Sequence, residues 1–331
     1  MMKVAIIGGG SWGATLANVL SDNGHLPLIY DINETAVKNI NEEHIHPFFD
    51  AKLNANIKAT ISLEEAINYS NILLLSVPTK VMRDVARKIN AILKEPAIFI
   101  NVSKGIEPET LLTVSQVVES EIDTSKLKAF VTLSGPSHAE EVILRKLTLL
   151  VAASKDLEAA KLVQNLFSND RYMRVYTSSD IIGVEVGGSV KNAIALVSGV
   201  STGLGLGENA RAALVSRGAQ EIVRITEVMG GRRETVFGLT GIGDLMVTAS
   251  SMNSRNFQAG LKIGKGESLD TVLANSRMVV EGARVIISAH EIGLKYHLDL
   301  PIINTAYQVL YENKPVEGML KMLLQRKLKA E

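Results

Sequence analysis

The stretch from Val4 to Gly13 constrains this chain more than any other. A short β-branched run ends in Gly8-Gly9-Gly10-Ser11-Trp12-Gly13, and a helical pattern runs on from Ser11 to Asn23, where Gly24 stops it. A strand that turns on glycines straight into a helix opens a βαβ unit of the kind that binds a dinucleotide. Gly8 would make the tight turn, Gly10 would let a pyrophosphate approach the backbone, and Gly13 would let the helix pack closely. The helix N-terminus supplies oriented N–H groups to the phosphates.

The next strand-like run, Leu26 to Tyr30, ends on Asp31. A carboxylate there can accept a hydrogen bond from an adenosine ribose 2′-hydroxyl and would repel a 2′-phosphate, so NAD(H) is favoured over NADP(H). A strand-end turn residue is the plainer alternative for Asp31. Further β-rich runs follow at Ile72 to Val77, Ala97 to Val102, Phe130 to Leu133, Thr148 to Ala153 and Arg174 to Tyr176, alternating with helical patterns such as Leu157 to Phe167. That alternation predicts a Rossmann-like, doubly wound parallel sheet over residues 1–178. From about residue 180 the β-runs cease, and helices are predicted at 183–199, 208–229, 254–263, 281–293, 301–312 and 315–327. The fold class is therefore α/β plus all-α, with residues 179–331 forming a helical substrate-binding and catalytic domain.

Composition narrows the chemistry. Lys plus Arg balances Asp plus Glu at 35 each, so no global field favours nucleic acid or an anionic membrane. The chain contains no cysteine, which excludes thiol nucleophiles, disulfides and zinc–thiolate sites. The six histidines show no metal-ligand spacing, and no catalytic metal is expected. The apolar run before the first glycines is too short for a signal peptide, and no later segment reaches eighteen uninterrupted apolar residues, so a cytoplasmic protein without membrane insertion is expected.

Several segments fall just past strand ends, where open α/β sheets bind their ligands. Pro78 breaks the strand ending at Val77, and Ser103-Lys104-Gly105 brings a cation to the mouth of the crevice. Ser134-Gly135-Pro136-Ser137-His138-Ala139-Glu140 is a tight turn into a helix, in which Ser137 and Glu140 have the spacing of a capping box. In the helical half, a glycine-rich turn delivers Asp244, and a helix start at Ser254-Arg255-Asn256 combines N-terminal N–H groups with a guanidinium, which suits a phosphate.

Lys191 sits in a helical run of small and apolar residues, 187–199. Its neighbours three and four positions away are Gly187, Gly188, Ile194 and Ala195, none of them acidic, and Glu185 is six positions back and points elsewhere. Two accounts fit: a solvated surface lysine, or a partly desolvated amine whose pKa falls toward the range useful for proton transfer.

Seven motifs in order carry a resemblance along the whole chain: Ile-Gly-Gly-Gly-Ser-Trp-Gly-Ala-Thr-Leu-Ala, Asn-Val-Ser-Lys-Gly-Ile-Glu, Ser-Gly-Pro-Ser-His-Ala-Glu-Glu-Val, Val-Lys-Asn-Ala-Ile-Ala, Gly-Leu-Thr-Gly-Ile-Gly-Asp-Leu, Ser-Arg-Asn and Val-Val-Glu-Gly. The sequence resembles the soluble NAD(P)-dependent glycerol-3-phosphate dehydrogenases. The resemblance implies cofactor contacts at Ser11, Trp12, Lys104, Ala139, Arg255, Val279 and Glu281. It implies substrate contacts at Lys104, Gly135, Ser137, Lys191, Asp244, Ser254, Arg255 and Asn256, with Lys191 as proton donor and acceptor. It also implies a phosphorylated small-molecule substrate, a homodimer and a place in glycerophospholipid synthesis.

The sequence departs from the family pattern in three places. Gly9 stands where alanine is common, a change expected to matter little because Gly8, Gly10 and Gly13 remain. Asp31-Ile32-Asn33 replaces the Arg or His that many members use to accept NADP. The His44–Phe49 segment lacks the usual Tyr-Leu-Pro-Gly wording. Other dehydrogenases that join a Rossmann domain to a helical one share the lysine logic, and a non-catalytic NAD(H) sensor would have no need of Lys191, Asp244 and Arg255 together.

Overall fold

A computed structural model describes residues 1–48, 51–276 and 279–316. The first half forms one eight-stranded sheet from β1 (Lys3–Ile7), β2 (Leu26–Tyr30), β3 (Lys58–Thr60), β4 (Ile72–Leu75), β5 (Ala97–Asn101), β6 (Leu127–Ser134), β7 (Thr148–Ala153) and β8 (Met173–Ser178). Interleaved are α1 (Ser11–Asp22), α2 (Glu34–Glu42), α3 (Leu63–Tyr69), α4 (Met82–Ile92), α5 (Val114–Glu121), α6 (Ala139–Val142) and α7 (Leu157–Phe167). The strand order is β3-β2-β1-β4-β5-β6-β7-β8. The chain winds outward from β1 to β3 and then crosses back to lay β4 on the other side of β1, which opens a crevice at their C-terminal ends.

Alternation of side chains builds a core on each face of the sheet. Along β1, Val4 and Ile6 enter one core while Ala5 and Ile7 enter the other. Two features depart from the sequence reading. The edge strand β3, only three residues long and opening on an exposed lysine, lacks the apolar run that marks the others. The β6–β7 pair is antiparallel inside an otherwise parallel sheet. The other strand ends shift by at most a few residues; the fourth strand, for example, stops at Leu75 rather than Val77.

The second half is helical: α8 (Ile181–Gly203), α9 (Gly207–Val228), α10 (Arg233–Val236), α11 (Asp244–Thr248), α12 (Arg255–Gly264), α13 (Leu269–Ala274), α14 (Glu281–Lys295) and α15 (Pro301–Tyr311). The helix predicted at 315–327 falls outside the described residues from 317 onward. Helix α8 is buried nearly all round, as expected of a helix at the centre of a helical layer. It is long and apolar enough to cross a membrane, but 89% of its apolar window is buried inside the protein.

Helices α8 and α12 run parallel and meet backbone to backbone. A Cβ at Gly260 would lie 1.9 Å from the Leu196 carbonyl oxygen, and one at Gly264 would lie 2.3 Å from that of Val200. Only glycine admits this approach, and it brings the first turn of α12 beside the middle of α8, where Asn256 Nδ2 donates to Asn192 Oδ1 at 3.0 Å. Glu185, also on α8, reaches the sheet domain and accepts from Ser115 N at 3.0 Å, Ser115 Oγ at 2.6 Å and Thr132 Oγ1 at 3.0 Å. Burial pushes its carboxyl pKa up, and no cation is among the causes that act on it.

Candidate active site

The C-terminal ends of β1, β4, β5 and β6 and the N-terminal turns of α12 and α14 enclose a cavity of about 360 Å³. Its floor is the glycine loop. Gly8 has φ +108°, which a side chain would strain, and a Cβ at Gly13 would meet the Gly8 carbonyl oxygen at 2.1 Å. A Cβ at Gly10 would meet nothing within 4 Å, and Gly10, Ser11 and Trp12 all line the cavity. The backbone at the start of α1 is thus open to a ligand, and this cradle fits a dinucleotide pyrophosphate. Among the described residues there is no group of three His, Asp or Glu side chains placed to hold a metal ion.

The same cavity is lined by a charge network. Lys191 is 5% exposed, and its Nζ donates to Asp244 Oδ1 at 2.8 Å and to Thr248 Oγ1 at 2.6 Å. Lys104 Nζ donates to Asp244 Oδ2 at 2.6 Å and to the Gly135 carbonyl at 3.2 Å. One carboxylate therefore bridges two lysines, one from each half of the chain. Burial pushes the Lys191 amine down to about 8, against the attraction of Asp244, while Lys104 and Arg255 add to the depression. For Asp244, burial works upward, but the two lysines outweigh it and hold the carboxyl below its usual range. The surface-lysine alternative for Lys191 does not describe this burial.

A π-helical turn, Leu239–Gly243, feeds Asp244 into α11 and aims its carboxylate inward. Thr248, one turn later, donates its hydroxyl proton to the Asp244 carbonyl at 2.6 Å, which leaves its oxygen to accept from Lys191. On α12, Ser254 is the N-cap and accepts from Phe257 N at 3.2 Å. This seats Arg255 at the first helical position, exposed at the cavity wall. Ser254→Ala should destabilise the protein by about 1 kcal/mol, read as a lower midpoint of denaturant unfolding with an unchanged slope.

Of the residues singled out from sequence, Gly10, Ser11, Trp12, Lys104, Ser137, Ala139, Lys191, Asp244, Ser254, Arg255, Asn256, Val279 and Glu281 line the one cavity. Gly8, Gly13, Asp31 and Gly135 do not line it, and act on its walls from behind. Asp31 turns both oxygens to backbone: Oδ2 accepts from Gly9 N and Oδ1 from Asn33 N, each at 2.8 Å. The Ser137–Glu140 capping box does not form. Ser137 Oγ donates to the Gly135 carbonyl at 3.1 Å, and His138 occupies the N-cap without a side-chain capping bond, its Nε2 lying 3.2 Å from the Val247 carbonyl oxygen. Sequence reading missed Thr248 and Asn192. Thr248 lies one helical turn from Asp244, and that spacing was the available signal.

Glu281 carries two further bonds across the cleft. Its carboxylate accepts from Thr79 N at 3.0 Å and from Thr79 Oγ1 at 2.7 Å, joining α14 to the turn after β4.

A glycine-loop sheet domain facing a helical domain, with a desolvated lysine between them, defines a nicotinamide-dependent oxidoreductase. Residues 3–160 match a family model described as the NAD-dependent glycerol-3-phosphate dehydrogenase N-terminus, and residues 180–321 match its C-terminus. The chain belongs to the NAD-dependent glycerol-3-phosphate dehydrogenase family. It is 58% identical over 330 residues to the enzyme named glycerol-3-phosphate dehydrogenase, NAD(P)+, of Acholeplasma laidlawii, covering 100% of this chain and 99% of that one. Identity to the protein of the same name from Listeria innocua is 50%, covering 99% and 98%. Among solved structures, glycerol-3-phosphate dehydrogenase from Coxiella burnetii superposes with TM-score 0.92 at 30% identity, over 98% of this chain and 99% of that one. A ketopantoate reductase from Ralstonia eutropha, at 15% identity and TM-score 0.62 over 98% and 100% of the chains, shares the fold alone.

Proposed function

We propose that the protein transfers hydride reversibly between NAD(P)H and dihydroxyacetone phosphate, forming sn-glycerol 3-phosphate. The observation that carries this reading is that the buried Lys191, the open glycine loop and the α12 start that bears Arg255 all line one cavity. When bound, the nicotinamide supplies or accepts the hydride; the protein's task is to hold the ketone and manage the proton. Two of the three Lys191 N–H bonds go to Asp244 and Thr248, which aims the third at the substrate oxygen. As the C2 oxygen gains charge, the ammonium stabilises it and delivers the proton; in the oxidising direction the neutral amine takes the proton back.

Lys104 neutralises Asp244 from the opposite side and adds positive charge near the developing alkoxide. Arg255, with the N–H groups that open α12, holds the phosphate. Binding energy gathered there, away from the reacting carbon, places the carbonyl at Lys191.

NAD(H) is the preferred cofactor in this reading. Asp31 follows β2 with its carboxylate fixed by two N–H donors, at the position where a carboxylate would repel a 2′-phosphate. We further propose a cytoplasmic homodimer that supplies glycerophospholipid synthesis. The decisive assay adds dihydroxyacetone phosphate to protein with NADH or NADPH and follows loss of absorbance by the reduced nicotinamide. No turnover would reject the substrate, and a higher kcat/KM with NADPH would reject the role of Asp31.

A further inference from the structure

We propose that His46 is a positioning residue for the dinucleotide: it clamps the Gly9 peptide and so holds the glycine loop in the shape that receives the phosphates. The proposal rests on the reading of that loop as the cofactor cradle.

His46 lies between α2 and β3, far from the loop in sequence, yet it is only 2% exposed and its Nε2 lies 2.6 Å from the Gly9 carbonyl oxygen. A carbonyl only accepts, so Nε2 carries the proton. The other ring nitrogen, Nδ1, accepts from Phe48 N at 3.3 Å. The two partners together select one neutral tautomer. Burial also pushes the imidazole pKa down, against the Gly9 carbonyl and Asp31, and so favours that neutral form.

Gly9 is held at its other backbone polar group as well, the N–H of the preceding peptide. Its N–H donates to Asp31 Oδ2 at 2.8 Å, and a Cβ on Gly9 would come within 2.8 Å of Ile29 Cγ2 and 2.9 Å of Asp31 Oδ2. An alanine there would require the Ile29 and Asp31 side chains to shift. Glycine lets Asp31 close on the loop, and His46 grips the peptide from the opposite end. Each clamp acts one residue before Gly10, where the backbone faces the cavity. Phe48, whose backbone is tied to the same imidazole, lines the cavity along with Trp12.

The test uses the full-length protein and its single tryptophan, Trp12, as an internal reporter of NADH. Titrating NADH against Trp12 fluorescence gives Kd for wild type, His46→Phe and His46→Gln. Steady-state assays give kcat and the two KM values. His46→Phe leaves the buried Gly9 carbonyl without its donor, and Kd and KM for NADH should rise about tenfold, the scale of one such lost bond. The KM for dihydroxyacetone phosphate, and kcat at saturating NADH, should stay within about twofold, because the bond acts on binding alone. His46→Gln retains an N–H donor at similar reach and should recover NADH affinity to within about threefold of wild type. Should His46→Phe fail to fold by circular dichroism, His46→Asn, whose amide is too short to reach Gly9, takes its place with the same expectation.

Unchanged NADH affinity without the donor would overturn the proposal, as would equal impairment of the Gln and Phe variants or a loss confined to kcat. Wild-type protein that turns over NADH with no response from Trp12 would instead reject the placement of the cofactor over the loop.

Discussion

Lys191→Ala should bind NADH as wild type does and lose at least about a hundredfold in kcat, the usual scale for a removed general acid or base. No hydrogen bond joins this side chain to the glycine loop among the described residues, so the loop's contacts to the cofactor phosphates should survive the change. What disappears is the amine held by Asp244 and Thr248, which in the reading proposed above donates to the substrate oxygen. The same amine predicts the pH behaviour. With its pKa near 8, ketone reduction needs the ammonium, so kcat/KM in that direction should fall as pH rises through about 8. Alcohol oxidation needs the neutral amine, and its kcat/KM should fall as pH drops through the same value. Parallel profiles in the two directions, or a variant within a few-fold of wild-type kcat, would remove Lys191 from proton transfer.

Asp244→Asn should be nearly as damaging to turnover and more damaging to stability. The substitution keeps the volume but removes the one negative charge between two lysines, 2% exposed at its side chain. Unpairing a buried ion pair in this way costs about 3–5 kcal/mol. Lys191 also loses the attraction that opposes its desolvation, so its pKa should fall below about 8 and leave less ammonium at neutral pH. Turnover of dihydroxyacetone phosphate should fall by at least about a hundredfold, and the reductive pH profile should move to lower pH. Chemical denaturation and a pH series on one preparation check both expectations; a stable variant with an unshifted profile would show that Asp244 neither balances nor tunes the lysines.

Local patterns in the sequence located most of what lines the cavity, because glycine turns, strand ends and helix starts are short-range features. Lys191 shows where such reading stops. Its helical neighbours gave no acid, and two accounts of it stood equal, since the partner that decides between them, Asp244, is supplied by tertiary packing. The same limit hid β3, whose three residues pair with β2 without an apolar run of their own. It also hid the bond from His46 to the glycine loop, which spans 37 positions. The Ser137–Glu140 spacing misled for the opposite reason: the local motif was present, but the helix begins one residue later and Ser137 turns back to Gly135.

The glycine contact between α8 and α12 has a consequence for selectivity. Side chains between two helices act as springs, and their rotamers can absorb a shift of about an ångström; bare backbone against backbone has no such give. Lys191 sits on one of these helices and Arg255 opens the other, so in the reading proposed above the backbones that carry the proton donor and the phosphate anchor stand at a fixed spacing. That reading predicts a lower kcat/KM for a phosphorylated ketone with one carbon more or fewer than for dihydroxyacetone phosphate. On that reading the enzyme measures its substrate by length, and the marks on the ruler are the residues that lack side chains.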